Sequence, residues 1–244
     1  MPRTLTYFVS DVHLGSPAGD PEARERAFVD FLRGIDPACT QALYLLGDIF
    51  DFWYEYRYVV PRGYARVLGA LTALVDAGVK VYFFQGNHDL WTFSYFEELG
   101  MVKLQQPYTV QIGGKRFCLG HGDALGPGNR WYKFVKGVFS RHWAQVLFST
   151  LHPWIAFKWA TGWSRRSRNE KPIAYQFKGE EEPLYIFCQD FQQHTPVDYF
   201  IFGHYHCRLE MPVGDARLVM LGDWMTASNW LVFDTAAGTL SACQ

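Results

Sequence analysis

The chain has 244 residues, of which 49% are hydrophobic and 19% charged, and its formal net charge is −1. This composition excludes an intrinsically disordered chain, fits one or one and a half globular domains, and gives no whole-chain argument for nucleic-acid binding. Five scattered cysteines without a Cys-x-x-Cys pair suit a reducing compartment and disfavour a thiolate metal site.

The N-terminal segment predicts a strand that ends in two candidate ligands. Residues 5–10 are mainly apolar, and no signal-peptide pattern precedes them, so we expect a protein that is cytosolic or held peripherally on a membrane. Asp11 and His13, two positions apart in an extended segment, can face one ion. A capping aspartate and a surface histidine are the alternative explanation. Pro21 and the apolar spacing after it predict a helix to about Gly34.

The second predicted strand leads to the aspartate around which the other motifs are arranged. Residues 42–46 are all apolar and are followed by Gly47 and Asp48, so the carboxylate lies at the C-terminal tip of a buried strand. Ligands bind at this edge of open α/β sheets. A single aspartate there is usually a turn former or a helix N-cap, so its interpretation as a bridge between two metal ions depends on its companions.

A third strand carries the next candidate ligands. An amphipathic helix is predicted over 62–77 and a strand over 79–85, which completes a β-α-β-α-β alternation and predicts a right-handed, mainly parallel layer. Asn87, His88 and Asp89 follow that strand directly after Gly86. A turn asparagine and a surface histidine are the alternative, but three consecutive ligand types favour a site.

Two later strands end in histidine loops. A hairpin over 108–112 and 115–119 leads to Gly120-His121-Gly122-Asp123, and a strand over 198–202 leads to Gly203-His204-Tyr205-His206. The glycines allow a close approach of the backbone to an ion. A helix over 184–193 precedes the last of these strands. Short strands over 209–213, 217–221 and 229–233 predict an antiparallel end.

Residues 130–171 differ from the rest in composition. They hold five of the nine tryptophans and nine Lys or Arg against one acidic residue, a local charge of +8. Helical periodicity over 131–148 and 154–163 predicts an inserted cap, here called the cap, between core segments 1–129 and 172–244. The aromatic residues either pack on the sheet or form a surface for a membrane or an anionic amphiphile, and the composition alone leaves both open.

The candidate ligands are Asp, Asn and His, a set that suits Mn²⁺, Fe²⁺ or Zn²⁺. One carboxylate can bridge two cations, since each oxygen can bind one. Two cations ~3.5–4 Å apart can hold a phosphoryl group and lower the pKa of a shared water. His88 is the available proton donor or cation for the leaving oxygen. The sequence therefore predicts phosphoester hydrolysis with Asp48 and His88 as catalytic residues.

These five loops, in this order and intact from Asp11 to His206, resemble the signature of calcineurin-like metallophosphoesterases. The resemblance implies an α/β fold, a four-layer αββα sandwich with the inserted helical cap. It also implies two ligand sets that share one carboxylate. One metal is assigned Asp11, His13, Asp48 and His206, and the other Asp48, Asn87, His121 and His204.

Within that superfamily the chain is most similar to the UDP-2,3-diacylglucosamine diphosphatases of lipid A biosynthesis, on size, short N-terminal lead and the position of the cap. This resemblance implies hydrolysis of the substrate's diphosphate to UMP and 2,3-diacylglucosamine 1-phosphate, usually with two Mn²⁺. It implies a cytoplasmic enzyme held peripherally at the inner membrane. The substrate-binding residues it implies are Asn87, His88, Asn129, Ser164, Arg168 and Lys171.

The chain departs from that family at three points. His88 stands where the best-known members have Arg, Asn129 replaces an acidic residue, and Asn169 is one place off the usual spacing in the cap. These departures keep open a metallophosphoesterase that acts on another amphiphilic or nucleotide phosphoester.

Two further classes compete with these enzymes. A non-catalytic scaffold would lack ligands, and here none is missing. The basic cap could follow a nucleic-acid backbone, but its tryptophan content favours lipid. No nucleic-acid partner is therefore expected, and the oligomeric state is not predicted.

Overall fold

A computed structural model describes residues 2–159, Gly162 and residues 175–243. The predicted α/β fold, with two sheets between helices, is confirmed. The division of the chain into a core and a cap stays a prediction. Within the described ranges, no helix is both long enough and apolar enough to cross a bilayer.

The first sheet has six strands in the order β11-β10-β1-β2-β3-β4. Four neighbouring strands are parallel, whereas the pairs β1–β10 and β10–β11 are antiparallel. The strands are β1 (Leu5–Val9), β2 (Thr40–Leu45), β3 (Lys80–Phe84), β4 (Val102–Leu104), β10 (Trp230–Asp234) and β11 (Thr239–Cys243). In the β1–β2 register Val9 lies beside Leu45, so both strands end at the same edge of the sheet.

The second sheet has five strands in the order β5-β6-β7-β9-β8. The central strands β6, β7 and β9 are parallel, and the two edge strands run antiparallel to their neighbours. The strands are β5 (Tyr108–Ile112), β6 (Lys115–Leu119), β7 (Tyr199–Phe202), β8 (Arg208–Val213) and β9 (Ala216–Leu221). The loops with His121 and His204 therefore leave adjacent strands at one edge.

Helices cover the outer faces of both sheets, and three others lie in the described part of the predicted cap. They are α1 (Pro21–Gly34), α2 (Ala65–Asp76), α3 (Tyr95–Glu98), α4 (Arg130–Phe139), α5 (His142–Ser149), α6 (153–159) and α7 (Pro183–His194). One apolar cluster lies between α1, α2 and the first sheet, a second between the two sheets, and a third between the second sheet and α7. Three apolar layers separate four structural layers.

Strand β2 shows why its sequence is continuously apolar. Leu43 and Leu45 belong to the cluster under α1 and α2, whereas Ala42, Tyr44 and Leu46 belong to the cluster between the sheets. Alternate side chains of a strand point to opposite faces, and both faces of this strand are covered. The strand is therefore hydrophobic without alternation.

The helical stretch predicted over 131–148 consists of two helices. Helix α4 ends at Phe139, Arg141 is extended with φ −77° and ψ 134°, and α5 begins at His142. The Trp91 indole N–H donates to the Phe139 carbonyl at 3.0 Å, and the Ser140 hydroxyl donates to the Lys136 carbonyl at 2.8 Å. These bonds satisfy C-terminal carbonyls of α4, so the chain can turn there.

Other predicted helices and strands are present but begin or end at different residues. Helix α2 begins at Ala65, not at Arg62, after a turn with a positive-φ glycine at Gly63. Four short elements were not predicted: β4, α3, β11 and a 3₁₀ helix at Gly179–Glu181. The cap helix predicted over 154–163 is helical over 153–159, and most of its remainder lies outside the described residues.

Candidate metal centre

Four predicted ligands lie together where β1 and β2 end. The ligand atoms of Asp11, His13, Asp48 and His206 are all within 4.8 Å of one another. Asp11 Oδ1 is 3.3 Å from His206 Nε2 and 3.8 Å from His13 Nε2. The two histidine Nε2 atoms are 3.1 Å apart. This cluster contains three buried residues and can hold a divalent cation through oxygen and nitrogen atoms.

Asp48 joins this cluster to a second group of predicted ligands. Its Oδ2 lies 3.7 Å from His13 Nε2 on one side and 3.3 Å from His121 Nε2 on the other. His121 Nε2 is also 3.2 Å from Asn87 Oδ1, and the His121 and His204 ring centroids are 5.1 Å apart. All seven predicted ligand side chains thus meet in one region. Their division between two ions stays a prediction.

An unusual backbone conformation recurs among these residues. Five of the seven have φ between 49° and 71°, in the left-handed region that residues other than glycine seldom adopt. Such strain persists where surrounding structure enforces it, and it concentrates at functional sites. The five residues are Asp11, His13, Asp48, His204 and His206.

Two glycines allow the loops to meet. A Cβ atom at Gly86 would overlap Asp48 Oδ1 and its backbone nitrogen, and a Cβ atom at Gly203 would overlap Asp11 Oδ2 and Ser10 Oγ. A larger residue at either position would push a carboxylate away. The glycine that precedes each of these motifs is therefore a packing requirement as well as a turn signal.

The donor atoms of the site fit a divalent cation. Asp11 Oδ2 accepts hydrogen bonds from Ser10 Oγ at 2.6 Å and from the His204 backbone N–H at 2.9 Å. Asp11 Oδ1 is buried and, among the described residues, has no hydrogen-bond donor. An unsatisfied buried carboxylate oxygen is costly, and a cation would satisfy it. The ligand chemistry agrees with Mn²⁺, Fe²⁺ or Zn²⁺.

Neighbouring charged groups of the site shift one another's pKa. Burial alone would raise the pKa of Asp11 and Asp48, but the neighbouring imidazoles outweigh it, so Asp11 has a pKa of about 2 and Asp48 one well below its usual value. Burial would lower the pKa of His121, but Asp48 outweighs that effect and raises it to about 10. A bound cation would take the place of this imidazolium proton, since metal ligands must be deprotonated.

His88 lies beside the cluster and is oriented by the loop after Asp48. Its Nδ1 is 3.0 Å from the Asp51 carbonyl oxygen and 3.6 Å from Asp51 Oδ1. Its ring packs edge-on against His13, with 4.8 Å between centroids. Burial lowers the pKa of His88 to about 4, so the ring is neutral at neutral pH.

Two supporting carboxylates were missed by the sequence reasoning, and a third, Asp89, was noted in its motif without a role. Asp51 Oδ1 is 3.3 Å from His13 Nδ1, and Asp223 Oδ2 is 3.5 Å from His206 Nδ1. Asp89 accepts four backbone N–H groups, which link Gly86 to residues 48–50. A signal for Asp223 existed, because Gly222-Asp223 follows an apolar strand as Gly47-Asp48 does.

The predicted substrate-binding residues are only partly described. Asn129 is exposed, has φ 46° and immediately precedes α4. Ser164, Arg168 and Lys171 lie outside the described residues. Asn87 and His88 lie at the cluster described above.

A two-sheet α/β sandwich that gathers Asp, Asn and His side chains at its strand ends is the arrangement expected of a metal-dependent hydrolase. The chain belongs to the calcineurin-like phosphoesterase family, whose model matches residues 5–208. This confirms the family expected from the motifs.

Relatives with assigned names match nearly the whole chain. UDP-2,3-diacylglucosamine hydrolase of Porphyromonas gingivalis is 38% identical over 99% of this chain and 98% of its own length. The enzyme of the same name from Aeromonas hydrophila is 28% identical over 93% of both. Among solved structures, a novel archaeal phosphodiesterase aligns over 98% of both chains with a TM-score of 0.48 and 11% identity.

Proposed function

We propose that this protein hydrolyses the diphosphate of UDP-2,3-diacylglucosamine to UMP and 2,3-diacylglucosamine 1-phosphate. The single observation that carries the proposal is the position of Asp48 Oδ2 between His13 Nε2 and His121 Nε2. A buried carboxylate with imidazoles on both sides supports a bridge between two cations. The substrate is taken from the names of the full-length relatives.

Asp11, His13, Asp48 and His206 would hold one divalent cation, and Asp48, Asn87, His121 and His204 the other. Such a pair supplies a water of lowered pKa and stabilises charge on the phosphoryl oxygens. Manganese is proposed for both positions, with Fe²⁺ or Zn²⁺ as alternatives that the same donor atoms would accept.

The surrounding residues orient the reacting groups. Asp89 ties the His88 loop to residues 48–50 through backbone hydrogen bonds, which fixes the two loops relative to each other. Asp51 engages His88 Nδ1, so Nε2 is the ring nitrogen that remains for the departing oxygen. The Asp51 carbonyl can only accept, so Nδ1 carries the proton of the neutral ring and Nε2 is unprotonated. An approaching diphosphate would raise the pKa of the ring, so that Nε2 can hold a proton and deliver it to the departing oxygen.

The cap is proposed to hold the acyl chains. Aromatic side chains line its junction with the core: Phe52 lies 4.9 Å from Phe157, and Trp91 lies 4.4 Å from Phe148, measured between ring centroids. Tyr54 also donates to the Gln145 carbonyl at 2.6 Å. An apolar, aromatic lining beside basic residues suits a substrate with two acyl chains and a diphosphate.

The same cap is proposed to bring the protein to an anionic membrane surface, as a cytoplasmic, peripherally attached enzyme of the inner membrane. Trp131 and Trp143 are 75% and 61% exposed. The stretch 130–159 carries five Lys or Arg and no acidic residue. Exposed tryptophans between basic side chains favour an interfacial position.

The test is a product assay with the purified, manganese-loaded protein. Incubation with UDP-2,3-diacylglucosamine is expected to yield UMP and the lipid phosphate in equal amounts, measured by mass spectrometry and phosphorus NMR. The deacylated UDP-sugar serves as the control substrate and should react far more slowly. No UMP from the acylated substrate would refute the proposal.

The second candidate is hydrolysis of another amphiphilic or nucleotide phosphoester. The observation that favours it is His88, whose ring carries less charge at neutral pH than the arginine that the resemblance led us to expect. Equal rates on acylated and deacylated UDP-sugars, or faster reaction of a CDP-lipid, would favour this second function over the first.

A further inference from the structure

A buried carboxylate outside the predicted ligand set connects the cap to the metal centre. Asp123 follows His121 by two residues and is 1% exposed. Its Oδ2 accepts hydrogen bonds from the Tyr132 hydroxyl at 2.8 Å and from Lys136 Nζ. Both donors lie on α4, the first helix of the cap, and the Lys136 side chain is only 20% exposed. A charge-assisted bond at such a site is stronger than a surface ion pair.

The carboxylate is also fixed from the core side. Gln106 Nε2 donates to both the Asp123 Oδ1 and the Asp123 carbonyl oxygen at 2.8 Å, and Gln106 Oε1 accepts the Gly122 N–H at 2.7 Å. Tyr132 and Lys136 are four residues apart, so they project from one face of α4. One carboxylate therefore joins the His121 loop to one face of the cap helix.

The chain that returns from the cap is held by a second buried carboxylate. Glu182 is 2% exposed and accepts hydrogen bonds from the Tyr175 hydroxyl at 2.9 Å and from the Lys178 N–H at 3.2 Å. The Tyr175 ring lies 5.1 Å from the ring of Tyr205, which stands between the predicted ligands His204 and His206.

We infer that Asp123 is a positioning residue that fastens α4 to the His121 loop and so sets where the cap presents an amphiphilic substrate to the metal centre. Tyr175 and Glu182 hold the returning chain against the His204 loop in the same way. The inference rests on the proposed function, since it concerns how the same site engages its lipid substrate. A cap that is loose before binding has to be ordered during binding, which weakens apparent affinity.

The kinetic test removes the donor on the cap and leaves the metal loop unchanged. In Lys136→Met, KM for the acylated UDP-sugar is expected to rise about 10-fold with kcat within 2-fold, because the cap helix is no longer pre-ordered. Turnover of bis(p-nitrophenyl) phosphate, too small to need the cap, should stay within 2-fold. Lys136→Arg should restore most of the affinity. Arg130→Gln, an exposed charge lost from the same helix, is the matched control.

A second measurement does not require the lipid substrate. The manganese-loaded proteins are digested with limiting trypsin. Cleavage after Lys133 and Arg141 is expected to be several-fold faster in Lys136→Met than in the wild type or in Arg130→Gln. The unfolding temperature of Lys136→Met should equal that of the wild type. If the wild type hydrolyses only the small diester, the proposed function fails and the digestion alone decides this inference. Equal digestion rates, or equal losses on both substrates, would overturn it.

Discussion

Asp48 is the residue on which the proposed chemistry depends most directly. It is 1% exposed, and its two oxygens face different partners: Oδ1 accepts the His88 N–H at 2.8 Å, and Oδ2 lies between two imidazoles. Replacing this carboxylate by an amide keeps the shape and the bond from His88. It removes the negative charge that two cations would share. The variant should therefore keep its fold and lose its activity.

Asp48→Asn is therefore expected to lower turnover by at least about 100-fold, beyond the range usual for residues that only support a ligand. Bound metal, measured by elemental analysis, should fall below two ions per chain. Circular dichroism should show an intact fold. Asp190→Asn, on the exposed side of α7, is the control. Wild-type activity in Asp48→Asn would show that the bridge is assigned to the wrong residue.

Asp51 should matter less than Asp48, because it acts through two histidines. Its carboxylate lies 3.3 Å from His13 Nδ1, and its carbonyl and carboxylate oxygens both face His88. Asp51→Ala is expected to lower activity about 10- to 100-fold, the range for groups that orient metal ligands. Manganese titration of activity should show weaker metal affinity. Asp30→Ala, exposed on α1, should leave both quantities unchanged.

At the scale of the elements, Phe117 on β6 shows how the two sheets hold each other. Its ring centroid lies 5.8 Å from Phe8 and 5.0 Å from Phe233, both on the opposite sheet, and 5.0 Å from Tyr199 on its own. The side chain is fully buried. Such aromatic contacts add to the hydrophobic gain and lock the spacing of the sheets.

Phe117→Ala is expected to lower the free energy of unfolding by about 3–5 kcal/mol, because it removes these contacts and leaves a cavity. Phe117→Leu should cost less than about 1.5 kcal/mol. Thr109→Ala, exposed on the neighbouring strand β5, should change it by less than about 0.5 kcal/mol. Chemical denaturation followed by circular dichroism provides the measurement. A loss below 1 kcal/mol for the alanine variant would contradict the packing argument.

The junction of β6 and β7 should make stability depend on pH. Asp198 accepts hydrogen bonds from the Arg116 N–H at 2.7 Å and from Lys115 Nζ at 2.9 Å. Burial alone would raise the pKa of this carboxyl, but the two donors outweigh burial and lower it. A carboxyl whose folded pKa is depressed stabilises the protein above its unfolded pKa, about 3.9. That contribution is lost as the pH falls through the folded pKa.

Asp198→Asn should therefore unfold at a lower temperature than the wild type at pH 7, by about 2–4 °C for about 1 kcal/mol. The gap should narrow as the pH falls from about 5 to 3, because the wild-type carboxyl then also loses its charge. Thermal unfolding at several pH values measures both chains. Asp190→Asn is the control. A difference in unfolding temperature that stays constant with pH would show that the charge of Asp198 does not cause it.

The elements differ in how far their sequence determined them. β1 to β3, β6, β7, α1 and α7 were predicted because buried strands and amphipathic helices leave strong patterns. β4, with three residues, and β11, at the sheet edge with mostly exposed residues, are formed by pairing with a neighbour, so their own sequence carries little signal. The break between α4 and α5 depends on Trp91, which lies about fifty residues earlier in the chain.

The site also has features that the sequence predicted and features that it did not. The motifs identified which residue types gather at the strand ends, since parallel strands bring their carboxyl ends together. They did not predict the left-handed backbone of five candidate ligands or the carboxylates of Asp51 and Asp223 that face ligand histidines. Those features arise from loops packed against other loops, and apart from Gly222-Asp223 after its apolar strand no local pattern records such contacts.

At the scale of the whole molecule, charge and apolar surface are concentrated on one part of the chain. The total charge is −1, yet residues 130–159 alone carry five basic side chains and no acidic one. The same stretch exposes Trp131, Trp143 and Trp154, whereas the large aromatic residues of the core are buried. Attraction of a basic segment to anionic lipid adds about 1 kcal/mol per basic residue near the surface. Insertion of tryptophan at the interface adds an apolar contribution that salt does not screen.

These two contributions can be separated by flotation with vesicles that contain anionic lipid. We expect the wild type to float at low salt and to be released only in part at about 1 M salt, where the Debye length is about 3 Å. The double variant Trp131→Ser/Trp143→Ser should lose the salt-resistant fraction. Val102→Ser/Ile186→Ser removes two exposed apolar side chains from outside the cap and should float like the wild type. A wild type that stays in solution at low salt, or two double variants that behave alike, would show that the cap does not bind membranes.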